Sequence, residues 1–402
     1  MEGSALRIAE TEISEDRFSR FRLLNWWDQD RIRRTNVAVI GAGALGNEIL
    51  KNLALLGFER IVIVDSDRVE LSNLSRSVLY AAGDIGRTKV DAAAAAFRRI
   101  YDGATVVALP ANILFDVGVG LFAWADITIA GLDNREARLW INRCAWKMGS
   151  PWVDGAIEGL SGVARVFLPG QAPCYECTLG EADWRILDRR MSCNLLTRGE
   201  MEAGKVPTTP TTASVIAGIQ VQEALKYIHG LPILQSKGYV FDGVGHTSYV
   251  VEYTENPECF GHHMHERIVR VPRASNELTL SGLYAIAQTE LRAADAVLDF
   301  SRDIVHKLAC PVCGREEELF APVGTVDLRR ARCPDDGATR AVIAIHSYTG
   351  TESYGCRKLG ELGLPLWDVF VARAGDSEVA LLISGDAASV VGALSMDAGA
   401  TV

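Results

Sequence analysis

Gly41, Gly43 and Gly46 lie in the run VAVIGAGALGNEIL, straight after an apolar strand-like stretch and at the head of a helix-like one. Glycines at that spacing permit a tight turn, let backbone N–H groups approach a phosphate and bring helix and strand close together. Alone, the loop would suit a dinucleotide. The charged residues that follow suit something else: Asp65 and Asp67 in IVIVDSDRVE, Asn73 and Arg76 in LSNLSRS, Lys89 in DIGRTKVD, and Asp133 with Asn134 in IAGLDNREARLWIN. Hydride transfer has little use for an arginine, a lysine and a further aspartate gathered on phosphate. Attack of a carboxylate on the α-phosphate of ATP does, because it brings together anions that repel. Cations must neutralise them and stabilise the pyrophosphate as it leaves. The expected chemistry is therefore adenylation.

The elements that would position these residues alternate. Strand-like VAVIGA, helix-like GNEILKNLALLG and strand-like RIVIVD form one βαβ unit, continued by a helix near TKVDAAAAAFRRIY and strands at TVVALP and ITIAGLD. Such alternation predicts an α/β fold with a doubly wound, mostly parallel sheet. The alanine run 92–96 is expected on a helix surface. Residues 174 to 210 are polar, charged and rich in Thr and Pro, and predict a long functional loop. ASVIAGIQVQEALKYIHG predicts a helix stopped by Gly230, and strands KGYVFDGV and TSYVVEYT close the first domain. Three parts are expected: an N-terminal helical segment over 1–35, an ATP-binding domain over 36–265, and a smaller C-terminal α+β domain over 266–402. The last shows short strands (RIVRV, AVIAIHSY, DVFVARA, VALLIS) and one helix around LSGLYAIAQTELRAA.

Composition limits the partners. The 402 residues carry a net charge of −10, which argues against a nucleic-acid surface. No apolar run approaches the roughly 20 residues that span a bilayer, so no membrane association is expected. The first residues, MEGSALRIAETEISEDR, resemble neither a secretion signal nor a mitochondrial presequence. Nine cysteines, two pairs of them at C-x-x-C spacing, then favour metal ligation and free thiols over disulfides. A cytoplasmic location is expected.

Six segments in order, RFSR, GAGALG, VDSD, SNLSR, DIGRTK and GLDNREARLWIN, resemble the superfamily of ubiquitin-activating enzymes and their sulfur-carrier relatives ThiF and MoeB over about residues 17 to 262. The resemblance implies a Rossmann-like ThiF/MoeB fold and ATP- and magnesium-dependent activation of the C-terminal carboxylate of a ubiquitin-like β-grasp protein. By position, Asp65 is implied to hold the ribose hydroxyls, Asn73, Arg76 and Lys89 the phosphates, and Asp133 the magnesium, with Gly41, Gly43, Gly46, Asp67 and Asn134 completing the nucleotide site. In the family the second arginine of an RYxRQ-like segment reaches the neighbouring subunit's ATP site. Here RFSRF supplies Arg20, with Phe21 in place of Gln. A symmetric homodimer completed in trans is thus implied, and the chain is too short for the paired repeat of large single-chain activators. Ser77 also departs from the family, where Gln often follows SNLxR.

Cys174 and Cys177 in QAPCYECTLG form a half-site for tetrahedral zinc. Where the family has a second pair, the chain reads NPECFGHH, offering Cys259 and His262, with His263 and His265 as alternatives to His262. Such a zinc would be structural. Cys310, Cys313 and Cys333 look like an incomplete zinc ribbon, with Asp336 or Cys356 open as fourth ligand. Cys193, in RRMSCNLLTRGE, has no metal spacing, and Arg189 and Arg190 before it favour thiolate. By resemblance it is the nucleophile that takes the activated carboxyl as a thioester and passes it to a conjugating enzyme, which residues 266–402 would recruit. Cys144 is expected in the core, and His229 and His246 as ordinary polar residues. Three other functions compete: a sulfur-carrier adenylyltransferase, the inactive scaffold half of an activating heterodimer, and a NAD oxidoreductase.

Overall fold

In the computed structural model, residues 15–191 and 207–397 are described. Near-continuous apolar runs become central strands buried on both faces, as parallel sheets require. β1 (Asn36–Ile40), β2 (Arg60–Val64), β3 (Thr105–Leu109), β4 (Ile127–Ala130) and β5 (Trp152–Glu158) run parallel in the order β3-β2-β1-β4-β5. β6 (Ser161–Phe167), β7 (Lys237–Asp242) and β8 (Thr247–Glu252) extend that sheet antiparallel. The strand order reverses between β1 and β4, so the crevice at their carboxyl ends is where an open α/β sheet takes its ligand.

Alternate residues of β1 feed two cores. Val37 and Val39 face α2 (Ala44–Leu56), α3 (Lys89–Ile100) and a long helix at Pro210–Ile228; Ala38 and Ile40 face α4 (Gly120–Trp124) and α5 (Arg135–Met148). The alanine run is not a surface: Ala92, Ala93, Ala94 and Ala96 are buried in the first of these cores. Their small side chains let α3 approach its neighbours closely, a tertiary effect that composition does not reveal. Of the N-terminal segment expected to be helical, residues 15–28 form turns and one 3-10 turn, Phe21–Leu23, before the six-residue α1 (Gln29–Arg34). Phe18 is buried beside Gly57, and His229 accepts the Asp28 N–H at 3.1 Å, pinning the segment to the domain. The expected loop after Cys174 likewise opens as a helix, α6 (Glu181–Met191), and the Pro210–Ile228 helix is α7.

A second sheet contains β9 (Ile268–Val271), β10 (Val297–Ala309), β11 (Glu316–Pro322), β12 (Ala341–Tyr348), β13 (Val369–Ala374) and β14 (Ser377–Ile383), in the order β11-β10-β13-β14-β9, with β12 also on β10. α8 (Leu280–Leu291) packs on it, and α9 (Ala387–Val391) follows β14. β10 and β11 escape the sequence pattern because charged residues interrupt their apolar alternation. The two sheets share one core, in which Trp367, Val369, Leu382 and Val391 meet Val119, Phe122 and Trp124. Three polar links reinforce it: Val119 N–H to Asp368 Oδ1 at 2.9 Å, Arg302 to the Leu114 and Val117 carbonyls, and the Trp124 indole to the Leu394 carbonyl at 3.2 Å.

Candidate active site

Each predicted cofactor residue sits on a loop or helix start at the carboxyl end of the parallel strands. Gly41 has φ +95, and a side chain on it would strike the Gly131 carbonyl oxygen at 2.5 Å. A Cβ on Gly46 would lie 1.9 Å from the Gly41 carbonyl oxygen, so the loop folds back on the first turn of α2 and only hydrogen fits. Gly43 is different, because a Cβ there would meet nothing within 4 Å. It is the residue just before α2, at a helix start whose backbone N–H groups attract anions.

Asp65, at the end of β2, accepts the Ala42 N–H at 2.7 Å and the Asp67 N–H at 2.8 Å. Burial pushes its carboxyl above the ordinary value, against Lys89 and those two amides. Lys89, the first residue of α3, bonds Asp67 Oδ2 at 2.7 Å. Burial opposes its charge, yet Asp65, Asp67 and Asp133 outweigh that and hold the ammonium above its usual value. One cation therefore lies in the field of three carboxylates drawn from two loops, those after β2 and β4.

The segment carrying Asn73 and Arg76 is tied to the glycine loop. Asn47 donates to the Ala42 carbonyl at 2.8 Å and accepts the Leu79 N–H at 2.9 Å, and Tyr80 Oη donates to the Ala42 carbonyl at 2.6 Å. Asn73 is buried and accepts the Glu70 N–H at 3.0 Å; Arg76 donates to the Ser72 carbonyl at 2.9 Å. Asp133 is exposed, just before Asn134, whose side chain accepts the Ala137 N–H at 2.8 Å and caps α5. Arg20 is exposed on the N-terminal turn.

Four further ligand-type residues converge away from this crevice. Cys174, Cys177, Cys259 and His262 bring one donor atom each within 4.8 Å of the others. Cys174 Sγ is 4.0 Å from Cys177 Sγ and 3.7 Å from Cys259 Sγ, and Cys177 Sγ is 3.2 Å from His262 Nε2. Tetrahedral zinc with Zn–S of about 2.3 Å puts sulfurs about 3.8 Å apart, so the donors fit that ion in number, type and spacing. His262 stacks on Trp146 with ring centroids 4.8 Å apart, whereas His263 and His265 both turn to Glu378. Among the three histidines, His262 is the one in the cluster.

The ThiF family model matches residues 15–260, which is more than half of the chain. The chain belongs to the ThiF family. Over 156 residues this ThiF-family protein is 42% identical to the NEDD8-activating enzyme E1 catalytic subunit of Dictyostelium discoideum, covering 36% of this chain and 35% of that protein. It is 31% identical to the SAMP-activating enzyme E1 of Haloferax volcanii, covering 61% of this chain and 87% of the relative. Among solved structures it is similar in fold to E. coli MccB with ATP, with a TM-score of 0.51 and 20% identity over 62% of this chain and 75% of that one.

Other supporting residues of the ThiF domain carry no motif that singles them out. Asp154, fully buried, is held between Arg138 and Arg165. Burial raises its carboxyl, but Arg165 and Arg138 win and keep it below the usual carboxylate range. Arg138 also donates to the carbonyls of Leu132 at 2.6 Å and Gly155 at 2.9 Å. That fixes the Gly131–Asn134 turn from behind, while Gln220 Nε2 holds the Ala130 carbonyl at 2.8 Å. Arg138 lies inside GLDNREARLWIN, but its partner is 16 residues away and no periodicity links them. Cys144 is core as expected, its thiol pushed up to about 12 by burial. Cys193 lies outside the described residues.

Proposed function

We propose that this ThiF-family protein activates the C-terminal carboxylate of a ubiquitin-like β-grasp protein with ATP and then passes the acyl group on. The observation that carries the proposal is Lys89, held charged among Asp65, Asp67 and Asp133 beside a glycine loop whose open side is at Gly43. ATP lies along that loop, with Asp65 accepting from the ribose and Asn73, Arg76 and Lys89 on the phosphates. Asp133 would hold magnesium, which neutralises phosphate charge when bound. A terminal carboxylate oxygen of the partner attacks the α-phosphorus, the bond to the bridging oxygen breaks, and pyrophosphate departs with the electron pair. Lys89 and Arg76 counter the charge that builds in this step. The names of the NEDD8- and SAMP-activating relatives support this class of substrate.

Cys193 thiolate then attacks the acyl carbon and AMP leaves, giving a thioester that moves to a conjugating enzyme recruited by the second sheet. Arg20, exposed on its turn, would reach a second copy's site in a homodimer. Cys174, Cys177, Cys259 and His262 would hold a structural zinc that ties the start of the 174–191 segment to the end of the first sheet's domain.

ATP–pyrophosphate exchange dependent on a β-grasp protein tests the first step. Lys89→Met should lower exchange by about 10²–10³-fold, and exchange unchanged in that variant would remove Lys89 from its role. Cys193→Ala should keep exchange and lose the thiol-sensitive adduct; an adduct that persists would discard thioester capture. Transfer of that adduct to a second protein separates conjugation from sulfur carriage.

A further inference from the structure

Cys310, Cys313, Cys333 and Asp336 lie outside the ThiF domain and have no part in the proposed reaction. They sit on two loops at one end of the second sheet: CPVCGR (310–315) joins β10 to β11, and CPDDGA (333–338) leads into β12. Laid over each other, the loops match position by position, with Cys310 on Cys333, Pro311 on Pro334, Cys313 on Asp336 and Gly314 on Gly337.

The backbones match as well. Cys310 N–H donates to the Arg315 carbonyl and Cys333 N–H to the Ala338 carbonyl, both at 2.8 Å. Gly314 N–H returns to the Cys310 carbonyl at 3.1 Å, and Gly337 N–H to the Cys333 carbonyl at 2.9 Å. Both glycines have φ +73, the left-handed geometry that closes such a turn. The fourth residue of each loop is aimed alike: Cys313 Sγ faces the Arg315 N–H, and Asp336 Oδ1 accepts the Ala338 N–H at 2.9 Å. These are two copies of one ligand-presenting turn, with aspartate replacing the second cysteine in one copy.

The copies face each other. Cys313 Sγ lies 3.6 Å from Cys333 Sγ, and Cys310 Sγ lies 3.3 Å from Asp336 Oδ2, with all four donor groups within 4.8 Å. A tetrahedral zinc with bonds of about 2.3 Å to sulfur and about 2.0 Å to oxygen requires roughly 3.8 Å between sulfurs and 3.5 Å between sulfur and oxygen. The observed separations are within a few tenths of an ångström of both. Cys356, the other candidate for fourth ligand, is in a separate 3-10 turn with its sulfur against the Ser353 carbonyl.

We propose that Cys310, Cys313, Cys333 and Asp336 bind a second zinc ion in a closed, structural three-sulfur, one-oxygen site. A divalent cation would displace the thiol protons and take all four donors, and the sulfur-rich set selects zinc over harder ions. The fold also needs a fastening here. Among the described residues, the small apolar cluster that includes β10's Val305 and Leu308 has one other buried member, Val326, and Val312 at the first loop's tip is 71% exposed. Where so little apolar surface is buried, metal binding supplies the ordering free energy.

The test is the zinc content of the full-length protein purified without chelator, followed by cobalt substitution. Cys313→Ser should lose one zinc equivalent per chain, and a different equivalent should go in Cys177→Ser, so the double variant loses both. Asp336→Cys should keep its equivalent and release it to a chromogenic chelator more slowly than the parent does. Tetrahedral cobalt absorption in the parent should fall in Cys313→Ser. Unchanged zinc content in Cys313→Ser overturns the proposal. So does a metal-free parent in which thiol titration finds Cys313 and Cys333 oxidised to a disulfide. Should Cys313→Ser not fold, metal stoichiometry of the parent, Asp336→Cys and Cys177→Ser decides: a single equivalent that Cys177→Ser removes refutes the second site.

Discussion

Arg138→Met tests the buried ion group behind the Gly131–Asn134 turn. The side chain of Arg138 is 8% exposed and that of Asp154 is 0%. Methionine fills much of the same volume while removing the bonds to Asp154, Leu132 and Gly155. Deleting one partner of a buried ion pair costs about 3–5 kcal/mol, because the remaining charge is left poorly compensated. Arg165 still bonds Asp154, so the lower end, about 3 kcal/mol, is expected. Urea denaturation followed by tryptophan fluorescence should show that loss as a lower midpoint with an unchanged slope. Acid unfolding supplies a second readout. Because Asp154 is held below its ordinary value, its contribution is present above the unfolded carboxylate value of about 3.9 and disappears as pH falls through the lower folded one. Losing Arg138 narrows that gap, so the variant should unfold at higher pH. Adding Asp154→Asn should cost much less than the sum of the single changes. A loss under about 1 kcal/mol, or full additivity, would show that the group does not act as a unit.

The second and third glycines of the loop should separate binding from folding. Gly43→Val points into open space, so the protein should fold normally and bind ATP at least tenfold more weakly by calorimetric titration. Gly46→Ala should fail to accumulate as folded protein, because its methyl group meets the Gly41 carbonyl. Trp367→Ala, at the junction of the two sheets, should lower stability by about 3–5 kcal/mol in thermal or urea unfolding; a change within noise would mean the shared core carries no weight. ATP affinity should decline on acidification at a pH above the ordinary carboxylate value, since Asp65 is raised and its protonated form loses acceptor capacity for the ribose. Asp65→Asn should flatten that profile, and a profile unchanged in the variant would assign the titration elsewhere.

The glycine loop and its charged neighbours were legible because they lie at strand ends and helix starts, where chain direction and turn chemistry leave few choices. Gly41, Asp65, Lys89 and Asp133 could be placed on one crevice from order alone. The two cysteine clusters were legible by donor type, although only geometry separates His262 from His263 and Asp336 from Cys356. What stayed hidden depends on partners remote in sequence. Arg138 and Asp154 resemble any surface pair until the fold buries them. Alanines 92–94 and 96 are neutral by type, and only the neighbours of α3 make them core. β10 was obscured by Arg302, Asp303 and Lys307, of which Arg302 reaches back to the first sheet's side of the molecule.

That junction governs how the protein can be dissected. Gly118 and Gly120 leave room only for hydrogen against Trp367, and Phe122 and Trp124 lie beneath the same cover. Cutting the chain after residue 265 would unroof those rings to water, inviting self-association before any catalytic question could be asked. Surface substitutions on intact protein, rather than amputation of the second sheet, are the way to learn what that half contributes.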